Sequence, residues 1–240
     1  MPLLLSLSLL AAAFLTGSIP IGFLIARSRG IDIRKHGSGN IGATNVWRVC
    51  GRAPGLLCFA LDFLKGLAPS ILAGLVINNH FPTPLAGALS PSAAAALWLA
   101  VALAAVLGHM FTPWLGFKGG KGISTCFGAL VGVYPVFTLA ALIALIVWGI
   151  ALALTRMVGI SSIIAAAALA AVVVASHLAP PALNQSLAAI PLYQPATAVH
   201  ACFAVMLLLL LTYKHRANIA RTFNGTEPKI GKKRNTTRPG

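Results

Sequence analysis

The chain alternates long apolar runs with short polar segments. About 20 consecutive apolar residues carry a helix across the hydrocarbon core of a bilayer, and several runs approach that length. The first covers residues 3–26 and is interrupted by Gly17, Ser18 and Pro20, which kink it or admit a neighbour closely. A second covers 54–76 and a third 93–111. The stretch 123–155 is too long for one span and short for two full ones; Tyr134–Pro135 divides it into a short helix at 123–133 and a full span at 135–154. Further spans are predicted at 160–176 and 196–213. The predicted fold is an all-α integral membrane protein with seven transmembrane helices, the fourth of them short. Residues 1–228 form its single multi-pass domain, and 229–240 are a basic, disordered tail.

Composition agrees with this pattern. Of 240 residues, 58% are hydrophobic and 9% charged, against about 25% charged in a soluble domain. Eighteen Lys and Arg face three acids, Asp32, Asp62 and Glu227. The bases fall in the loops 27–52 and 112–122, at Arg156 and from Lys214 onward, while 78–92 and 177–195 carry none. Positive charge marks cytoplasmic loops, so the N-terminus is predicted outside and the C-terminus in the cytoplasm, as for a bacterial cytoplasmic (inner) membrane protein. The four cysteines are widely spaced with no CxxC pair, which gives no metal or disulfide signature. An excess of bases implies anionic partners. Nucleic acid is excluded because few aromatics interleave with them.

Three segments carry the candidate chemistry. In the first, Gly37, Ser38, Gly39, Asn40 and Gly42 allow tight turns and unhindered amides, Asn45 follows, and Arg48 can grip a phosphate with two hydrogen bonds. Positive charge alone would orient a loop; the added density of Gly, Ser and Asn points to an anion site. The pattern Gly37-x-Gly39-x-x-Gly42 also matches a dinucleotide fingerprint, but that motif needs a strand before it, and here apolar helices flank it. In the second segment, Gly119, Gly120 and Gly122 lead into a helix whose N-terminus favours anions. Lys121 and Lys118 add charge, and His109 stands close in sequence. Gly122 occupies the place where a Walker A motif requires Ser or Thr. In the third, a helix continuing past Tyr213 would put His215, Asn218 and Arg221 on one face. Asp62 and Lys65, at i, i+3 inside the second span, are expected to pair with each other or with a neighbouring helix.

Read together, the sequences G-S-I-P (17–20), G-S-G-N-I-G-A-T-N-x-x-R (37–48), D-x-x-K-G (62–66), G-H…F-K-G-G-K-G (108–122) and H-R-x-N-I-x-R…G-x-E (215–227) resemble the bacterial family of acyl-phosphate-dependent glycerol-3-phosphate acyltransferases. Five motifs in family order span nearly the whole chain. The resemblance implies seven helices with an external N-terminus and an active site on the cytoplasmic face. It implies acyl transfer from acyl phosphate to the 1-hydroxyl of sn-glycerol 3-phosphate, giving lysophosphatidic acid and phosphate, with no cofactor and membrane lipids as surroundings. By the same resemblance Ser38, Arg48 and Lys121 bind phosphate, and His215 and Asn218 position glycerol 3-phosphate. Glu227 is structural. The sequence departs from the family's Ser-x-Ser-Ser arrangement at Gly159, leaving Ser161 and Ser162 as its candidates.

The chemistry fits the composition. Both substrates are anionic, and cations with amides can stabilise the leaving phosphate and the oxyanion, while proximity contributes the rest. A transporter of phosphorylated anions would use similar loops, but it predicts internal repeats and charge at mid-membrane; the bases here cluster on one side.

Overall fold

The computed structural model describes residues 2–77, 89–190 and 194–230. The residues 78–88, which make up most of the first base-free loop, and 231–240, which make up most of the predicted tail, lie outside the described residues. Among the described residues the chain is helical, with no strand. The first apolar run is two helices, α1 (Pro2–Ser18) and α2 (Ile21–Arg27). Then come α3 (Ala43–Cys50), α4 (Arg52–Ile77) and α5 (Pro91–Met110). The short α6 is Ile123–Gly132, followed by α7 (Thr138–Thr155) and α8 (Val158–Leu178). A small α9 (Pro181–Leu187) precedes α10 (Ala198–Lys214) and α11 (Arg216–Phe223). Among the described residues five helical segments are long and apolar enough to cross a membrane, α1 and α2 counting together; α10 and α11, bent by 59°, make a sixth if taken as one span.

Two short helices stand where the sequence suggested only connectors. The first basic loop contains α3, which packs on α4, and the stretch 177–195 contains α9. The main pairs are α1 with α5, α4 with α6, and α7 with α8, and α10 lies on α8. Small residues set the closest approach: a Cβ on Gly66 of α4 would meet the Thr125 carbonyl of α6, and one on Gly128 would meet the Phe63 carbonyl. Such contacts are how helices associate when lipid removes the hydrophobic drive between them. The outside is apolar, with Leu154 80% and Leu209 65% exposed, a surface suited to hydrocarbon and unlike that of a soluble monomer.

The break between α1 and α2 leaves carbonyls without helical donors, which is costly away from water. Side chains supply the donors. Lys65 Nζ donates to Ile19 O at 2.7 Å, Thr112 Oγ1 to Ser18 O at 2.6 Å, and Trp114 Nε1 to Ser18 Oγ at 2.8 Å. The same break lets Gly17 approach the Ala105 carbonyl of α5. Asp62 and Lys65 do pair, at 2.9 Å, and Asp62 also meets His109 of α5.

Candidate active site

The first segment is anchored before its glycines. Asp32 accepts from the Arg34 amide at 3.2 Å, and its two oxygens receive Arg34 Nε and Nη2, both at 2.9 Å. The hydrogen-bonded Arg34 guanidinium holds the Asp32 carboxyl down to about 2. With both oxygens occupied, this acid is an anchor and a poor base.

After His36 the chain turns through Gly37 and Gly39, whose positive φ values suit residues without a Cβ. Asn45, buried in the first turn of α3, organises this turn. Its Oδ1 accepts from Ser38 N at 2.9 Å, and its Nδ2 donates to Asn40 O at 2.9 Å and His36 O at 3.0 Å. Asn40 Oδ1 accepts from Gly42 N at 2.8 Å. The amides of Ser38 and Gly42 are therefore committed to the loop's own shape. The Ser38 residue is exposed on this turn, and Arg48 is exposed further along α3.

The second segment folds back on the end of α5. Gly120 N donates to His109 O at 3.1 Å and Gly119 N to Met110 O at 3.3 Å. These two amides satisfy carbonyls that a helix end leaves open, so they do not point at a ligand. His109 is buried beneath the loop, against Asp62. Lys118 is exposed. Gly122, with φ of +83°, turns the chain into α6, whose first-turn N–H groups carry positive partial charge.

The third segment bends sharply after Lys214. His215, at the elbow, is buried and holds Leu211 O through Nδ1 at 2.8 Å. Asn218 stands in the first turn of α11, its amide bonded to His215 O at 2.8 Å. Its side chain is gripped on three sides. Lys121 Nζ donates to Asn218 Oδ1, Asn218 Nδ2 donates to Glu227 Oε1 at 2.5 Å, and Gly159 of α8 packs against it from below. Arg221 Nε meets Glu227 Oε2 at 2.8 Å. A serine at 159 would place its Cβ in the Asn218 side chain, which gives the departure at that position a steric reason.

The second and third segments thus meet. Lys121, Asn218, Glu227 and Arg221 form one chain of contacts, and Arg48 of the first segment is near enough to feel the charges of Glu227 and Arg221. Burial first, then Arg221, Arg48 and Lys214, push the Lys121 pKa down to about 8, against the pull of Glu227. Three cations surround one carboxylate, an unbalanced charge that a phosphate would match. The resemblance gave Glu227 a structural role; here its two oxygens meet Asn218 and Arg221.

Ser161 and Ser162 lie apart from this cluster in their bonding. Both are buried, and their hydroxyls donate to Met157 O at 2.9 Å and Val158 O at 2.8 Å within α8. Ser162 lines an apolar cavity of about 120 Å³ with Ile123, Cys126, Leu130, Trp148 and Leu211. Two of the cavity's lining residues neighbour the polar cluster: Ile123 follows the Lys121–Gly122 turn, and the Leu211 carbonyl bonds His215 Nδ1.

Relatives match nearly the full length of the chain. Residues 7–225 match the family model described as glycerol-3-phosphate acyltransferase. A glycerol-3-phosphate acyltransferase from Geobacter sulfurreducens is 41% identical over 92% of this chain and 95% of its own length. One from Desulforamulus reducens is 37% identical over 94% and 96%. Among solved structures, PlsY, an integral membrane glycerol 3-phosphate acyltransferase, in its glycerol 3-phosphate form superposes with a TM-score of 0.72 at 33% identity, covering 94% of this chain and 96% of that one. Its lysophosphatidic acid form gives 0.69 at 34% identity, over 94% and 95%. With the match running through all three polar segments and the helical frame that gathers them, the chain belongs to the glycerol-3-phosphate acyltransferase family.

Proposed function

We propose that this protein transfers an acyl chain from acyl phosphate to the 1-hydroxyl of sn-glycerol 3-phosphate, at the cytoplasmic face of a bacterial inner membrane. The observation that carries the reading is the junction of Lys121, Asn218, Glu227 and Arg221, with Arg48 near it, beside an apolar cavity. A basic cluster holds the phosphates, and the cavity receives part of the fatty chain. Seven membrane crossings, with α6 as a short fourth and the N-terminus outside, put every basic segment on the same side as this junction.

In the reaction the glycerol oxygen attacks the acyl carbonyl carbon. The C–O bond to phosphate breaks, and phosphate leaves with the electron pair. Arg48 and Lys121 stabilise the charge that develops on the leaving phosphate, with the exposed Ser38 as an added donor beside Arg48. His215 and Asn218 orient the glycerol phosphate, and Lys121, bonded to Asn218, contributes its charge to that phosphate as well. The hydroxyl proton passes to a substrate phosphate oxygen. His215 Nε2 is the other candidate acceptor, but burial first, and then the charges of Lys121 and Lys214, oppose a second proton on the ring. A His215→Gln variant separates the two: retained turnover with intact binding rules out a histidine base. Ser161 and Ser162 support α8 and the cavity wall, Asn40 and Asn45 hold the first loop, and Lys118 adds surface charge. The test is purified protein given labelled glycerol 3-phosphate and palmitoyl phosphate. Lysophosphatidic acid and phosphate should appear one for one without nucleotide; no product with any acyl phosphate contradicts the reading.

A further inference from the structure

The glycine loop has the composition of a phosphate cradle, yet the amides of Gly119 and Gly120 are bonded to the end of α5. What lies under the loop is ionic. Asp62 Oδ1 is 2.9 Å from Lys65 Nζ and 3.5 Å from His109 Nδ1. Lys65 reaches on to Ile19 O, and Cys58 Sγ lies 3.6 Å from Asp62 Oδ2. All three ionisable groups are buried, with exposures of 1%, 6% and 4%. Charges this far from water persist only when paired and fixed. The cluster ties α4, α5 and the break after α1 into one rigid point.

Resting on the acyltransferase reading above, we propose that the Asp62–Lys65–His109 cluster is the seat of the glycine loop and so sets the position of Lys121, which makes His109 a positioning residue and not a phosphate ligand. Gly120 sits against the Nε2 corner of the imidazole: a Cβ there would run into Nε2, Cε1 and Cδ2 of His109. Asp62 Oδ1 stands 3.5 Å from Nδ1 of the same buried ring, which limits the room for the ring to move away. One residue further on is Lys121, which bonds Asn218. A small lift of the loop therefore moves the ammonium group away from its partner, and misplacing a binding group by about 1 Å can cost on the order of 10²-fold in rate. The neighbouring Gly119 is constrained differently. Its Cβ would meet the His109 carbonyl and the Met110 backbone, not a side chain. The two glycines thus answer differently to removal of the ring.

That difference supplies the test. Wild type, Gly120→Ala, His109→Ala, the double variant, Gly119→Ala and its double with His109→Ala are purified as monodisperse protein. The kcat and the KM for glycerol 3-phosphate are measured with palmitoyl phosphate saturating. Gly120→Ala and His109→Ala should each raise KM, by about 10-fold for the former, as expected of a displaced binding group. The His109→Ala/Gly120→Ala double should lose no more than His109→Ala alone, because the obstacle to the new methyl is gone. Gly119→Ala should gain no such relief. Losses that simply multiply in the Gly120 double, or variants that lower kcat with KM unmoved, overturn the proposal. If His109→Ala does not yield folded protein, Asp62→Asn takes its place and should raise KM in the same direction; an unchanged KM overturns the proposal. If wild type makes no lysophosphatidic acid, the acyltransferase reading fails first. The same cycle is then read by calorimetric titration with glycerol 3-phosphate, where relief of Gly120→Ala supports the seat and plain additivity refutes it.

Discussion

Lys121 holds a charge where burial and three other cations disfavour it, and its pKa lies near 8 in consequence. Below that pH the ammonium form dominates and can bind phosphate; as pH rises through about 8 the charge is lost. The KM for glycerol 3-phosphate should therefore climb above pH 8. Lys121→Arg, which keeps its charge throughout this range, should flatten that rise. A KM equally steep with pH in the arginine variant would show that another group titrates. Asn45 and Asn40 illustrate what residue type does not reveal. In a glycine-rich loop an asparagine suits a ligand contact or a turn equally well, and here both side chains face their own backbone. Asp62 and Lys65 were readable as partners from their spacing, whereas His109 joins them from another helix.

At the scale of elements, the apolar runs were legible because bilayer thickness dictates their length. The division of 123–155 into α6 and α7 and the interruption after Ser18 were legible because Pro and Gly end helices locally. The helices α3 and α9 were not, being eight and seven residues long and formed in polar or mixed sequence with no spanning signature. The elbow between α10 and α11 was also hidden: the single-helix expectation put His215 and Asn218 on one face, and the bend instead buries both. Glu227 pins α11 by bonding Asn218 and Arg221. Glu227→Ala should lower thermal stability by about 1–2 kcal/mol, the lower part of the range for charged hydrogen bonds. Water recovers part of the loss because Arg221 is 38% exposed. Glu227→Gln, which can still accept from Asn218, should lose less. A melting temperature unchanged in Glu227→Ala would contradict the pinning role.

At the scale of the molecule, the proposed function asks the asymmetry of charge to do two things, to orient the chain and to supply the binding groups. The orientation is checked in a cysteine-free background. Ser186→Cys on α9 should react with a membrane-impermeant maleimide in intact cells, and Lys118→Cys should react only after permeabilisation; both residues are exposed. The reverse pattern would invert the proposed topology. In the proposed function the apolar cavity lined by Ile123 and Leu211 takes the lipid chain while the basic cluster takes the water-soluble phosphate. The most direct measurement compares lysophosphatidic acid release by wild type and Lys121→Met with palmitoyl phosphate and glycerol 3-phosphate as the only substrates. Wild type should turn over, and the variant should fall on the order of 10²-fold, as when one charge-stabilising donor is removed from a transition state. A Lys121→Met variant as fast as wild type would contradict the account.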